Sequence, residues 1–262
     1  VTPYAALSSF GLAAAAVAGL VVGSFLNVVA HRLPRGESLA FPGSRCPSCG
    51  APIAAYDNVP VLSWIVLGGR CRSCGAKIAL RYPALELSNA VLWAAVFRLA
   101  PTWWDFATGI FLCSAGLALL AIDAEFQILP DIITLPGIVV GLVLAIGSVR
   151  RTPLTALIGA ALGAGGLFLL AFLYEKIAGQ EGMGLGDVKM LGMIGALLGP
   201  AGVMVTVLAA SLSGSVVGIV LMIARGADGK MRLPFGVFLA IGAIGAWFFG
   251  DPLVARYRAL WP

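Results

Sequence analysis

Eight apolar runs, separated by short polar turns and one long polar loop, decide what this chain can fold into. They lie at roughly 5 to 30, 83 to 100, 104 to 123, 132 to 149, 154 to 174, 188 to 199, 201 to 224 and 234 to 250, judged against the ~20 residues a helix needs to cross a bilayer. With 60% hydrophobic and 11% charged residues, the chain carries more apolar surface than one soluble core buries. Inside lipid the backbone must satisfy its own hydrogen bonds, so the expectation is an all-α polytopic membrane protein with about eight transmembrane helices. The sixth run is short, and Gly199-Pro200 reads either as a tight turn or as a kink in one long helix. The first run lacks a basic n-region and leads straight into the polar loop, which marks a retained span rather than a cleaved signal peptide.

The net charge of +5 comes without a basic stripe interleaved with aromatics, so no nucleic-acid partner is expected. Its distribution instead sets orientation. With the loop after the first span inside, Arg32, Arg35, Arg45, Arg70, Arg72, Lys77, Arg81, Lys176, Lys189, Arg225, Lys230 and Arg232 fall on the cytoplasmic side. Arg98, Arg150, Arg151, Arg256 and Arg258 fall outside, an asymmetry that follows the positive-inside rule. The pair Arg150-Arg151 is the one strong contrary signal.

The polar loop holds two CxxC knuckles, Cys46-Pro47-Ser48-Cys49 and Cys71-Arg72-Ser73-Cys74, each followed by a glycine, Gly50 or Gly75. Without a Cβ, those glycines let backbone N–H groups turn toward the sulfurs. Four thiolates at this spacing suit a tetrahedral zinc ion, and four protein ligands leave no open position, so the metal's role is structural. The competing reading is a pair of disulfides, which a reducing cytoplasm disfavours. The organisation expected is 1–33 as the first transmembrane helix, 34–82 as a small cytoplasmic zinc-binding domain with four cysteine ligands, and 83–262 as the polytopic membrane domain. Cys113 sits mid-span and reads as a small buried hydrophobe.

Two aspartates stand at span ends, in Ala121-Ile122-Asp123-Ala124-Glu125 and in Gly184-Leu185-Gly186-Asp187. A carboxylate at membrane depth is costly unless it is protonated, paired or facing water, so it marks a functional site by default. Two together suit acid–base chemistry in which one carboxylate takes a proton from water while its protonated partner polarises a carbonyl. Asp187 also reads as a helix N-cap, and Asp131, after Leu129-Pro130, either caps the next helix or joins the site. Asp123 ranks above Asp131 because it ends an apolar span whereas Asp131 opens one. Glu125 reads as solvated at the membrane face, and His31 ends the first span at the interface.

These residues carry a resemblance. Gly23-Ser24-Phe25-Leu26-Asn27 with His31-Arg32-Leu33-Pro34, the paired knuckles, Tyr56-Asp57-Asn58-Val59-Pro60, Arg81-Tyr82-Pro83 with Glu86, Asp123 with Leu129-Pro130-Asp131, and Gly184-Leu185-Gly186-Asp187-Val188-Lys189 together resemble the type IV prepilin peptidases. The ordered matches run from about residue 23 to 190. The resemblance implies a GxGD membrane aspartic protease with Asp123 and Asp187 as the dyad. It implies an enzyme of the bacterial inner membrane that removes the basic leader of prepilins and pseudopilins after a glycine, at the cytoplasmic face, for a type IV pilus or type II secretion system. Members with the Cys-rich loop also methylate the new N-terminal amine using S-adenosylmethionine.

No Gly-rich loop after a strand marks a site for that methyl donor, and Glu37, Asp57, Asn58 and Glu86 are polar candidates left unassigned. Glu125, Glu175 and Glu181 fall near the cytoplasmic mouth and are expected to steer the basic leader. Two rival readings share some of these features. Paired intramembrane carboxylates also suit an ion- or proton-coupled transporter, for which internal repetition is missing. A zinc-clamped scaffold leaves the two acids unexplained.

Overall fold

The computed structural model describes residues 8–179, 184–225 and 233–260. The chain forms two compact units, the first ending at Ala100 and the second beginning at Pro101. In the first, α1 (Ser8–Arg32) packs against α3 (Arg81–Leu99), with the short α2 (Leu62–Val66) inside the polar segment that joins them. The second holds α4 (Trp103–Phe126), α5 (Asp131–Leu144), α6 (Pro153–Ala178), α7 (Leu185–Arg225) and α8 (Phe235–Ala259). Each of the eight predicted apolar runs coincides with one of these helices or with half of α7. Among the described residues five helices, α1, α4, α6, α7 and α8, are long and apolar enough to cross a membrane by length and composition, and α5 is a shorter apolar helix.

The ambiguity at Gly199-Pro200 resolves as a tight reversal between two helical halves: Gly186 at the start of the first and Gly236 at the start of α8 both meet Leu129, and Gly218 late in the second meets Leu233, so the chain returns to the end it left. Gly199 takes φ 72° and ψ −178° inside α7, a conformation that favours glycine, and Pro200 restarts the helix without needing a backbone donor. Helix starts follow local chemistry. The Thr102 hydroxyl oxygen accepts from the Asp105 N–H at 3.1 Å to open α4, while Thr152 and Thr155 cap each other at the start of α6, with Pro153 in its first turn.

The core of the second unit lies along α4, the first half of α7 and α8, where Leu112, Leu119, Ile122, Met190, Met193, Ile194, Leu197 and Leu239 are fully buried. By contrast α6 and the second half of α7 turn large apolar side chains outward, including Leu157, Leu162, Phe168, Leu208, Leu212 and Ile219. That is the surface expected of helices that face lipid. α6 and α7 approach at backbone contact through small residues: a methyl added to Gly195 would stand 2.0 Å from the Gly159 carbonyl oxygen, and one on Gly159 2.3 Å from the Gly195 oxygen. Neither backbone can yield, so Gly195→Val is expected to cost about 1–3 kcal/mol or more. A midpoint in thermal unfolding of the detergent-solubilised protein equal to that of the parent would contradict this packing.

The contrary charge signal also finds its explanation. Arg151 is buried, with a guanidinium nitrogen donating to the Thr108 hydroxyl at 2.7 Å and the Asp105 charge nearby. Arg150 lies over the Trp247 ring and 3.8 Å from Asp251. Both cations are absorbed by side chains of the fold, which removes much of their weight in the orientation count.

Candidate active site and cysteine cluster

Asp123 occupies the last turn of α4 and is 95% buried, its exposure being 5%. Its carboxylate reaches the start of α8, where Oδ2 accepts the Val237 N–H at 3.1 Å and the Gly236 N–H also points to it. These donors belong to the first turn of a helix, whose N–H groups have no partner within the helix, so a carboxylate from α4 caps α8 across the fold. Asp187 sits in the first turn of α7, half-buried, with its own N–H bonded to Gly184 O at 3.2 Å. The helix therefore starts at Leu185, ahead of Asp187, and Asp187 is a first-turn residue rather than the N-cap.

The end of α4 and the beginning of α7 meet at Leu129. A methyl on Gly186 would stand 3.0 Å from Leu129 Cβ, and one on Gly236 would stand 2.9 Å from Leu129 Cδ2 and 2.8 Å from Asp123 Oδ2. Absence of both side chains lets the helix termini close around the leucine, and it brings Asp187 within electrostatic reach of Asp123. The structure thus brings together the two acids singled out from sequence. Asp131, in contrast, is spent on an ion pair: both of its oxygens lie 2.8 Å from Lys189 Nζ, tying the start of α5 to the first turn of α7 beside Asp187. Glu125 and Glu175 are exposed, and Glu181 lies outside the described residues. His31 ends α1 as expected, in contact with Arg35.

Sequence reading missed Leu129 as a wedge, the α8 terminus as the partner of Asp123, and the Asp131–Lys189 pair. The only local signal for the second was Pro234-Phe235-Gly236 opening an apolar run. Nothing in that run says which acid it receives.

In the first unit the two knuckles repeat one geometry. Gly50 and Gly75 adopt φ 71° and 72°, and their N–H groups bond back to Cys46 O and Cys71 O at 2.9 Å. Cys46 N–H and Cys71 N–H are bound by Ala51 O and Ala76 O, and paired backbone bridges flank each turn, Arg45 with Pro52 and Arg70 with Lys77. The four sulfurs of Cys46, Cys49, Cys71 and Cys74 gather within 4.8 Å of one another, with 3.9 Å between those of Cys46 and Cys74. Tetrahedral zinc at about 2.3 Å from each thiolate requires sulfurs about 3.8 Å apart, so the donor set fits that ion. All five cysteines are free thiols, and Cys113 is fully buried.

Electrostatics agree with the fit. The backbone N–H groups of Cys49 and Ser48 bring the Cys46 thiol down to about 6. Cys74, although drawn down by the Ala76 N–H, is pushed up to about 11 by the Cys49 thiol, by desolvation and by its other two neighbours. Four clustered thiols cannot all ionise without a cation to hold them. Nearby, Arg72 donates to both oxygens of Asp57, at 2.8 and 2.6 Å, and holds that carboxyl below the usual range.

Apolar helices long enough to cross a membrane, two acids at helix ends and a four-cysteine segment able to hold a metal ion define the class of protein. Comparison with known proteins places it further. Residues 17–99 match the bacterial peptidase A24 N-terminal domain and residues 110–219 match the type IV leader peptidase family. The chain is similar to the prepilin leader peptidase/N-methyltransferase of Pseudomonas aeruginosa, 36% identical over 91% of this chain and 90% of that protein. The proteins of the same name from Burkholderia pseudomallei (39% identical, covering 92% and 86%) and Neisseria gonorrhoeae (38%, covering 84% and 85%) are similar too. The chain belongs to the type IV leader peptidase family. No solved structure matches it.

Proposed function

We infer that the protein cleaves the leader peptide of type IV prepilins and methylates the N-terminal amine that cleavage exposes. The observation that carries the peptidase reading is the convergence of Asp123 and Asp187 from two helix termini around Leu129. We assign these two as the catalytic dyad. One ionised carboxylate of the pair takes a proton from the attacking water, and the protonated one donates to the scissile carbonyl oxygen as it gains charge. The Val237 and Gly236 N–H groups fix the rotamer of Asp123, and the Asp131–Lys189 pair fixes the start of α7 that carries Asp187. The relatives named above are leader peptidases, and nothing supports the ion-coupled reading.

Cys46, Cys49, Cys71 and Cys74 are assigned as ligands of one structural zinc ion within a domain of residues 34–82, which closes a segment too polar to fold on its own core. S-adenosyl-L-methionine supplies a methyl group on a sulfonium sulfur for the second activity. The Lys and Arg asymmetry supports eight crossings, with the knuckles and the dyad at the cytoplasmic face of a bacterial inner membrane. Pseudopilins of secretion systems fit the same site.

Incubation of a prepilin with the detergent-purified protein, followed by mass spectrometry, tests this function: the leader is lost after a glycine, and the mass of one methyl group is gained only with the donor present. Absence of cleavage by the folded protein on its genomic prepilins contradicts it. Replacing Glu125, Glu175 and Glu181 together by Gln is expected to slow cleavage at low salt and less so at high salt, because steering is screened. Equal rates for variant and parent at every salt concentration would remove the steering role.

A further inference from the structure

Within the second unit, a recess of about 30 Å³ lies where the α5–α6 connection, the Gly199 reversal of α7 and the end of α8 meet, with Arg150, Arg151, Leu198, Trp247 and Asp251 in its wall. That volume admits about two water-sized groups. Arg151, 7% exposed, spends one guanidinium nitrogen on the Thr108 hydroxyl, and its Nε has no partner. Trp247, 3% exposed, likewise leaves its indole N–H unpaired. Both orphaned groups are donors, so what satisfies them is an acceptor.

The neighbouring acids do not supply it. Asp105 is fully buried, and its oxygens accept from the Thr102 hydroxyl at 2.6 Å, the Ser148 hydroxyl and the Val149 N–H at 3.5 Å. Its field supports the Arg151 charge, yet among the described residues no carboxylate forms an ion pair with that guanidinium. Asp251 stands at the rim with its side chain 73% exposed, 3.8 Å from Arg150. Arg150 itself is turned to Trp247, donating to its carbonyl oxygen at 3.2 Å and lying over its ring. The recess therefore presents two buried N–H donors, one of them cationic, with an acid outside them.

Its level in the fold indicates the class of acceptor. Asp105 lies in the first turn of α4 and Asp123 in the last, about 27 Å apart along the helix axis, close to the thickness of a bilayer's hydrocarbon core. Trp103 and Trp104, exposed at the start of α4, are residues of the kind that settle at headgroup level. An acceptor abundant at that level is the phosphodiester of a phospholipid, whose two free oxygens match both the room and the two donors. Trp247 and Asp251 stand one turn apart on the same face of α8, about 5–6 Å, a span that a two-carbon ethanolamine linker covers. An acid at the outer end of the site favours a headgroup that carries an ammonium over one that does not.

We propose that this recess holds the headgroup of phosphatidylethanolamine in the leaflet opposite the dyad, its phosphate oxygens accepting from Arg151 Nε and Trp247 Nε1 and its ammonium pairing with Asp251. The site takes no part in cleavage or methyl transfer and goes beyond that reading. A lipid so held ties the α5–α6 connection to α8 at the end of the second unit far from Asp123.

Native mass spectrometry of the full-length, zinc-loaded protein, stripped of lipid in detergent, tests the site. The probes are phosphatidylethanolamine and phosphatidylglycerol with the same acyl chains and, separately, inorganic phosphate. The parent is expected to bind the ethanolamine lipid about fivefold or more tightly than the glycerol lipid, and both far more tightly than phosphate. Trp247→Phe keeps a ring beneath Arg150 and removes only the N–H, and is expected to weaken both lipids by about tenfold. Asp251→Asn, at an exposed position where the fold tolerates the change, is expected to abolish the preference for ethanolamine while leaving the glycerol lipid within about threefold of the parent. Unfolding midpoints measured without lipid keep the comparison to folded protein. Variants that bind both lipids as the parent does overturn the proposal and leave the two donors to ordered water. Equal binding of the two lipids by the parent, or phosphate bound as tightly as lipid, overturns the headgroup assignment.

Discussion

Asp123→Asn and Asp187→Asn each lower leader cleavage by about a thousandfold or more, because an amide neither takes a proton from water nor holds one to donate, and proton transfer is worth roughly 10²–10⁴ in rate. The substitution is chosen for what it keeps. The Asn side chain still offers an oxygen to the Val237 N–H, and Asn caps helices as well as Asp does, so the start of α8 stays in place. Asp123→Ala, in contrast, loses both the chemistry and the cap, and is expected to cost about 1 kcal/mol of stability as well. Equal loss of activity in the Asn and Ala variants, with a lowered unfolding midpoint only in the latter, separates catalysis from folding.

Asp131→Asn supplies the internal comparison. It breaks the ion pair to Lys189 but leaves the dyad, and an exposed pair of this kind is worth about 1 kcal/mol at most, so its effect stays below about tenfold in rate. The measurement is the initial rate of leader removal followed by mass spectrometry. Retention of more than about a tenth of the parent rate by either Asn variant of the dyad would falsify the assignment.

The helices were legible because their signal is local. Apolar length marked every helix of the second unit, and Gly199-Pro200 marked the break in α7, although only coordinates distinguish a kink from a turn. The order of motifs pointed to Asp123 and Asp187, and cysteine spacing pointed to the cluster, since four thiols in two short turns need only a closing loop to meet. What stayed hidden depends on contacts far apart in sequence. The Val237 N–H lies 114 residues from the Asp123 carboxylate it meets, and Lys189 lies 58 from Asp131. Arg150 and Arg151 looked like an orientation signal because the charges that absorb them, Asp251 and Asp105, come from other helices. Glu86 was visible only as one polar residue among several; its burial against α1, where a methyl on Gly23 would stand 2.7 Å from Glu86 Cα, is a property of packing.

Removal of one knuckle ligand should have the second large effect. Cys46→Ser replaces the buried thiol of the four, the one that backbone N–H groups make most acidic, and is expected to lower bound zinc from about one ion per chain to less than about a tenth. With the ion gone the remaining thiols have no cation to hold them together, and residues 44 to 78 keep only their two turns, α2 and a few long-range bonds such as Arg72–Asp57 and Trp64–Ile78 O. Acid acts in the same direction: a thiol held at about 6 is a thiolate above that pH and protonated below it, so zinc is released as pH falls through the range in which protons outcompete the ion. Metal content by atomic emission, limited proteolysis within 34–82 and methyl transfer, read on the same preparation, decide the matter. Zinc loss that leaves the segment protease-resistant and both activities intact would show that the knuckles fold without it, and the metal would then need another role.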